Sequence, residues 1–205
     1  MEKLKKISGI LIALCLTIFI GIEPAKANQD LLSEVVKKEA SLWCGATAFS
    51  PFDGGTITAG IKSKGNIVQK NAVAATGWKD QTGKSAKGSK IVLPVEKFSK
   101  YGYCHIFDDH MKNANTRKQH EVKMGNEWKS QFQYAHFPNE AMETAMEVIN
   151  GTDELNKDPN NPNRFTKTFF SYNEGQRVRV VLQRGSTWGG YNNYDWVLVS
   201  MFPVF

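Results

Sequence analysis

The chain has 205 residues, 26 Lys and Arg against 20 Asp and Glu, a formal net charge of +6, and a hydrophobic content of 41%. A length of this order fits one signal-bearing domain, and only one long apolar run is present, which excludes a multi-span helical membrane protein. Without internal repeats or a long low-complexity tract, a repeat array is excluded as well.

Residues 1–27 carry the three parts of a cleavable export signal. Lys3, Lys5 and Lys6 charge the start, an apolar stretch runs from Ile7 to Ile22, and Ala25-Lys26-Ala27 follows Pro24 as the small-residue cleavage pattern. The stretch is shorter than the roughly 20 residues of a spanning helix. Leu14 before Cys15 stands where a lipidation site needs a small residue. Cleavage removes four lysines and two glutamates, so residues 28–205 keep a surplus of +4. That surplus suits solubility and does not point to nucleic acid.

The mature part is expected to form a single domain. Its first element is a helix over about residues 30–43, with Leu32, Val35, Val36, Ala40 and Trp43 at helical spacing. Cys44 follows. With Cys15 in the signal, Cys44 and Cys104 are the remaining cysteines, and in an oxidising compartment they pair. A disulfide closing a loop of about 60 residues constrains the unfolded chain by roughly 4 kcal/mol in the loop-entropy model.

Strand-like alternation then appears at 56–62 and 66–76. Residues 77–90 are polar and hold Trp78 with Lys79, Lys84, Lys87 and Lys90, which predicts a solvated loop. Gly83-Lys84-Ser85 resembles the end of a phosphate-binding loop, but Gly77 lies one residue too far away and no helical pattern follows. Strands are expected at 90–95 and 100–107. Further strands at 119–124 and 127–136 flank Gly125-Asn126, a dipeptide suited to a hairpin.

A second helix is predicted at 138–150. Pro138 suits its first turn, Glu140 and Glu143 complement its positive end, Met142, Ala145, Met146 and Ile149 form a stripe, and Asn150-Gly151 supplies the stop. Residues 151–164, with Pro159 and Pro162, read as a loop. Strands at 165–172, 176–184 and 194–202 complete an antiparallel meander. The expected fold is therefore α+β: a mainly antiparallel β-sheet with two packing helices, one domain, one disulfide. An outer-membrane barrel fits poorly, because several strands fall short of its 9–11 residues and a helix interrupts them.

Two constellations could carry function. All four histidines lie between 105 and 136, with Asp108 and Asp109 beside the first two. His105, Asp108 and His110 are the candidates for a secreted hydrolase or toxin, with His as general base and Asp orienting it. Their spacing matches no closed metal pattern, so neither metal nor cofactor is expected. The other constellation is residues 186–196, where Trp188, Tyr191, Asn192 and Tyr194 sit among glycines between the last two strands. Rigid aromatics beside adaptable polar groups are the composition of recognition loops, although an aromatic plug closing the sheet end is the structural alternative. These features predict a periplasmic or secreted, non-catalytic binding or accessory protein whose partner is a protein or glycan, with no nucleic-acid role and no transmembrane span after cleavage.

Overall fold

The computed structural model describes residues 23–45, 78–96, 100–115, 117 and 119–205, with only the backbone for 23–27. The expected signal up to residue 22 and the strands expected at 56–62 and 66–76 lie outside the described residues.

Helix α1 spans Glu23–Gly45, so the segment expected to close the export signal, Glu23 to Ala27, already has helical backbone. Its innermost line is Ser33, Val36, Ala40 and Cys44, with Leu32, Val35 and Trp43 as half-buried shoulders. Those positions recur every three to four residues, which is why one side of the helix is buried. Strand β1 (Gln81–Lys84) lies inside what the sequence presents as a lysine-rich loop, and it forms a hairpin with β2 (Lys90–Leu93), which falls within the strand expected at 90–95. Trp78 precedes β1 outside regular structure but is not solvated as expected. It stacks on Trp43 at 5.5 Å and meets Tyr103 and Phe137 edge-on.

The strand expected at 100–107 is helical instead. Helix α2 (Tyr103–Ile106) runs directly into a π-wound turn, Phe107–Met111. Tyr103, Ile106, Phe107, His110 and Met111 are all buried, at the i, i+3, i+4, i+7, i+8 spacing of one helical face. Gly102 starts the segment with φ of 76°, and a Cβ there would stand 2.4 Å from the Pro94 carbonyl oxygen. Only glycine accepts that turn and approach.

Strands β3 (His120–Met124) and β4 (Glu127–Gln131) form a separate two-stranded hairpin. β4 stops at Gln131, short of the expected His136. Helix α3 spans Pro138–Asn150, the predicted bounds, and the Glu140 carboxylate accepts the Phe137 backbone N–H at 2.9 Å. The expected loop at 151–164 contains β5 (Asn156–Asp158) and the start of β6 (Asn161–Ser171). β7 (Gln176–Arg184) and β8 (Trp196–Pro203) follow, joined by residues 185–195, which open with a short 3₁₀ turn, Gly185–Thr187.

The main sheet has the order β1-β2-β8-β7-β6-β5. Its pairs are antiparallel except β2 with β8, which run parallel at Ile91–Trp196 and Val92–Val197. Val178, Val180, Leu182, Leu198 and Met201 face α3, whose Ala141, Met142, Ala145 and Val148 complete the main core. Register places Phe202, Arg179 and Thr168 together on the other face, and Ser200 with Val181 and Thr166. The chain is thus an α+β domain with a sheet-dominated core. Cys44 and Cys104 are bonded, with Cα atoms 5.3 Å apart, tying the end of α1 to α2. Among the described residues, no helix is long and apolar enough to cross a membrane.

Candidate functional site

The free side of β8 beyond its pairing with β2 is met by α2 and the hairpin. The Gly102 N–H donates to the Val199 carbonyl, and the Ser130 hydroxyl donates to the Pro203 carbonyl at 2.7 Å. Between the π turn, the hairpin and the end of β8 opens a cleft of about 590 Å³.

His110 forms its inner wall. The ring stacks on Phe202 at 5.1 Å, and its Nδ1 lies 2.8 Å from the Ser130 carbonyl oxygen. A carbonyl can only accept, so the proton resides on Nδ1 and Nε2 is left as an acceptor. Burial pushes the His110 pKa down to about 4. The Ser130 bond and Asp109 oppose that shift, while His105 and Lys129 add to it. His105 is lowered as well, first by burial, with Asp109 working against it. The two rings meet edge-on at 6.3 Å. Five residues apart on an α-helix they would diverge by about 140°, but the π turn, closed by the Lys112 N–H on the Phe107 carbonyl, winds more widely and brings them together.

Asp108 does not join them. It is half-exposed and pairs with Lys112 at 3.7 Å, whereas Asp109 lines the cleft. Asp109 Oδ2 stands 3.7 Å from His105 Nδ1 and 3.3 Å from Lys129 Nζ. Lys129 also pairs with Glu127, and that bond is the main reason its pKa is raised. Gln131, fully buried, fixes the backbone around them by donating from its amide to the Asp109 and Lys129 carbonyls. At the rim, Trp128 is 64% exposed and Phe205 53% exposed. Pairing of Glu121 with Ser130 and of Lys123 with Trp128 puts Glu121 and Trp128 on one face of the hairpin.

The loop at 186–196 packs differently. Tyr191 is buried with Val92 and Val197 in a small second core, and Trp188 and Tyr194 are half-buried against it. The Tyr191 hydroxyl lies 2.8 Å from Asp80 Oδ2 and 3.2 Å from Glu96 Oε1. Burial, then Asp80 and Glu96, raise its pKa. Trp188 meets Tyr101 edge-on at 4.8 Å. A Cβ on Gly185 would lie 2.0 Å from the Tyr194 carbonyl oxygen, so the loop closes tightly on its own base. Asn192 is exposed. Of the four residues singled out here, Tyr191 is turned inward, and the loop caps one end of the sheet.

Neither protein-family models nor curated proteins match the chain. The site is therefore read from its own chemistry. Among the described residues no group of three or more His, Cys, Asp or Glu side chains could hold a metal ion. His120 and His136 lie elsewhere. His120 bonds backbone carbonyls of its own loop, and His136 sits buried with Nε2 2.9 Å from Glu174 Oε1. Burial works against a charged His136, yet Glu174 and Glu140 outweigh it and raise its pKa.

The residues that sequence reasoning missed at the cleft are Asp109, Trp128, Lys129 and Phe202. Trp128 had a local signal: it follows the Gly125-Asn126 turn, between Glu127 and Lys129, where a hairpin tip is displayed. Phe202 had none, since the β8 register alone brings it beneath His110.

Proposed function

We propose that this chain is an exported, soluble, non-catalytic binding or accessory protein of the periplasm or extracellular space, and that its ligand seats in the cleft walled by His105 and His110. The observation that carries this reading is a concave site with a polar floor held by buried hydrogen bonds and an exposed Trp128 at its rim, the usual composition of a binding pocket. The Cys44–Cys104 bond supports export, because such bonds persist in oxidising compartments. The inward packing of Tyr191 favours the cleft over the 186–196 loop as the recognition surface.

Two measurements test this reading. N-terminal sequencing of protein recovered outside the cytosol should begin at Asn28, with Cys44 and Cys104 oxidised. Recovery with Met1 intact and both thiols free contradicts export. Trp128→Ala should weaken partner binding at least tenfold with little change in unfolding temperature, while Trp188→Ala leaves affinity unchanged. The reverse pattern returns recognition to the loop.

A second reading, hydrolysis, draws on His105 standing beside Asp109 within the cleft. It replaces Asp108 by Asp109 as the orienting carboxylate. Turnover of ester or glycosidic substrates by the wild type, lost in Asp109→Asn but kept in Asp108→Asn, would favour it over simple binding.

A further inference from the structure

We infer that the cleft takes an uncharged glycan, one ring stacked on Trp128 and its hydroxyls hydrogen-bonded by His110, His105 and the Asp109–Lys129 pair. This deepens the proposal above and rests on the cleft being the binding site.

The charge inventory argues for the ligand class. Lys129 faces Asp109 at 3.3 Å and also pairs with Glu127, so the one lysine lining the cleft among the described residues is already compensated. Burial keeps both imidazoles neutral near pH 7. Two arginines stand behind the lining: Arg164, whose charge reaches His105, lies over the Tyr101 ring, and Arg179, paired across the sheet with Phe202, bonds Thr168. Among the described residues neither lines the cleft, so a carboxylate, sulfate or phosphate entering here would lose hydration without direct contact with a free cation, which is costly. A cationic ligand fares little better on the floor, because Asp109 is engaged by Lys129 and the surplus carboxylate of the trio, Glu127, stands 72% exposed, where screening weakens its pull. Glu121, which forms no ion pair among the described residues, stands exposed at the rim, where screening weakens its pull.

What the site does offer is neutral hydrogen bonding beside flat apolar surface. His110 is locked as an acceptor at Nε2 by its Nδ1 bond to the Ser130 carbonyl. The carboxylate of Asp109 accepts and the ammonium of Lys129 donates, so hydroxyls that both give and take find partners. Trp128 presents most of its ring to solvent, a surface that costs little entropy to stack on. Phe202 backs His110 below, and Phe205 adds a further exposed ring to the cleft lining. A sugar ring has polar edges and apolar faces and satisfies both features at once. A purely apolar ligand would leave the buried polar groups unpaired.

The test is an NMR titration of the full mature protein, following the Trp128 indole N–H and the His110 imidazole. The probes are neutral tri- and tetrasaccharides of the glucan, chitin, mannan and galactan types, a polygalacturonate oligomer, and trilysine. The expected result is saturable shifts at both reporters with at least one neutral oligosaccharide. Affinity should fall at least tenfold in Trp128→Ala and in His110→Phe, which keeps the ring on Phe202 but removes the acceptor. Asp109→Asn, by removing one of the two carboxylates paired with Lys129 and the negative charge on the floor, should gain binding to the polygalacturonate. If the reporters move with polygalacturonate or trilysine but with no neutral sugar, the glycan inference fails and the cleft remains the binding site. If no probe moves them, or shifts appear only at 186–196, both fail.

Discussion

His110 meets two demands at once: it is buried against Phe202, and it keeps one nitrogen bonded to a backbone carbonyl. Its folded pKa of about 4 lies below the ordinary value of 6.5. A depressed histidine contributes stability that is present above the unfolded pKa and is lost as pH falls from 6.5 towards 4. The size is about 3 kcal/mol, from 1.36 kcal/mol per unit. Denaturant midpoints at pH 7 and pH 4 should therefore differ by less in His110→Phe than in the wild type. An unchanged difference would mean the ring is solvated. His136 runs the other way: its raised pKa gives a contribution that is complete below 6.5 and fades as pH rises through the folded value. Tyr191→Phe removes a donor shared by two carboxylates and should cost about 1–2 kcal/mol in thermal unfolding. A neutral result would show that the loop is not the plug its geometry describes.

At the scale of elements, legibility followed how many independent signals agreed. Helix α3 was readable to its bounds because Pro138, the methionine stripe and Asn150-Gly151 all point to the same segment. β7 was readable because Val178, Val180 and Leu182 alternate between turns. Residues 100–107 misled because Tyr101, Tyr103, His105 and Phe107 also alternate, imitating a strand. The true period appears only when the window reaches Met111. β1, β5 and the start of β6 were hidden for the opposite reason: being short or polar edge segments, they are held by pairing with a neighbour rather than by their own pattern. The helical start at Gly102 gives a sharp prediction. Gly102→Ala must abandon φ of 76° and relieve the contact with Pro94, costing 2 kcal/mol or more, about the range of strained glycine sites. A change within about 0.5 kcal/mol would contradict the turn.

For the whole molecule, the Cys44–Cys104 bond joins α1 to the segment that walls the cleft. The pairing was legible from the cysteine count once residues 1–27 are read as an export signal, a reading that belongs to the proposal. The cleft was only half legible: the His and Asp cluster stood out by composition, but its partners Trp128, Lys129 and Phe202 arrive through the hairpin and β8, which no local pattern announces. Reducing the bond, or the pair Cys44→Ser and Cys104→Ser, should lower stability by about 2–4 kcal/mol. Amide exchange should also quicken in Tyr103–Met111 before β7 and β8. Uniform quickening across the sheet would instead mark the bond as a global constraint alone.

The geometry of His110 is the point on which the cleft depends, and imidazole nitrogen NMR of histidine-labelled protein reads it directly. A neutral ring protonated at Nδ1 is expected from pH 7 down to near pH 4, with the Nε2 signal moving when ligand binds. A ring that titrates at the ordinary 6.5, or carries its proton on Nε2, would contradict it.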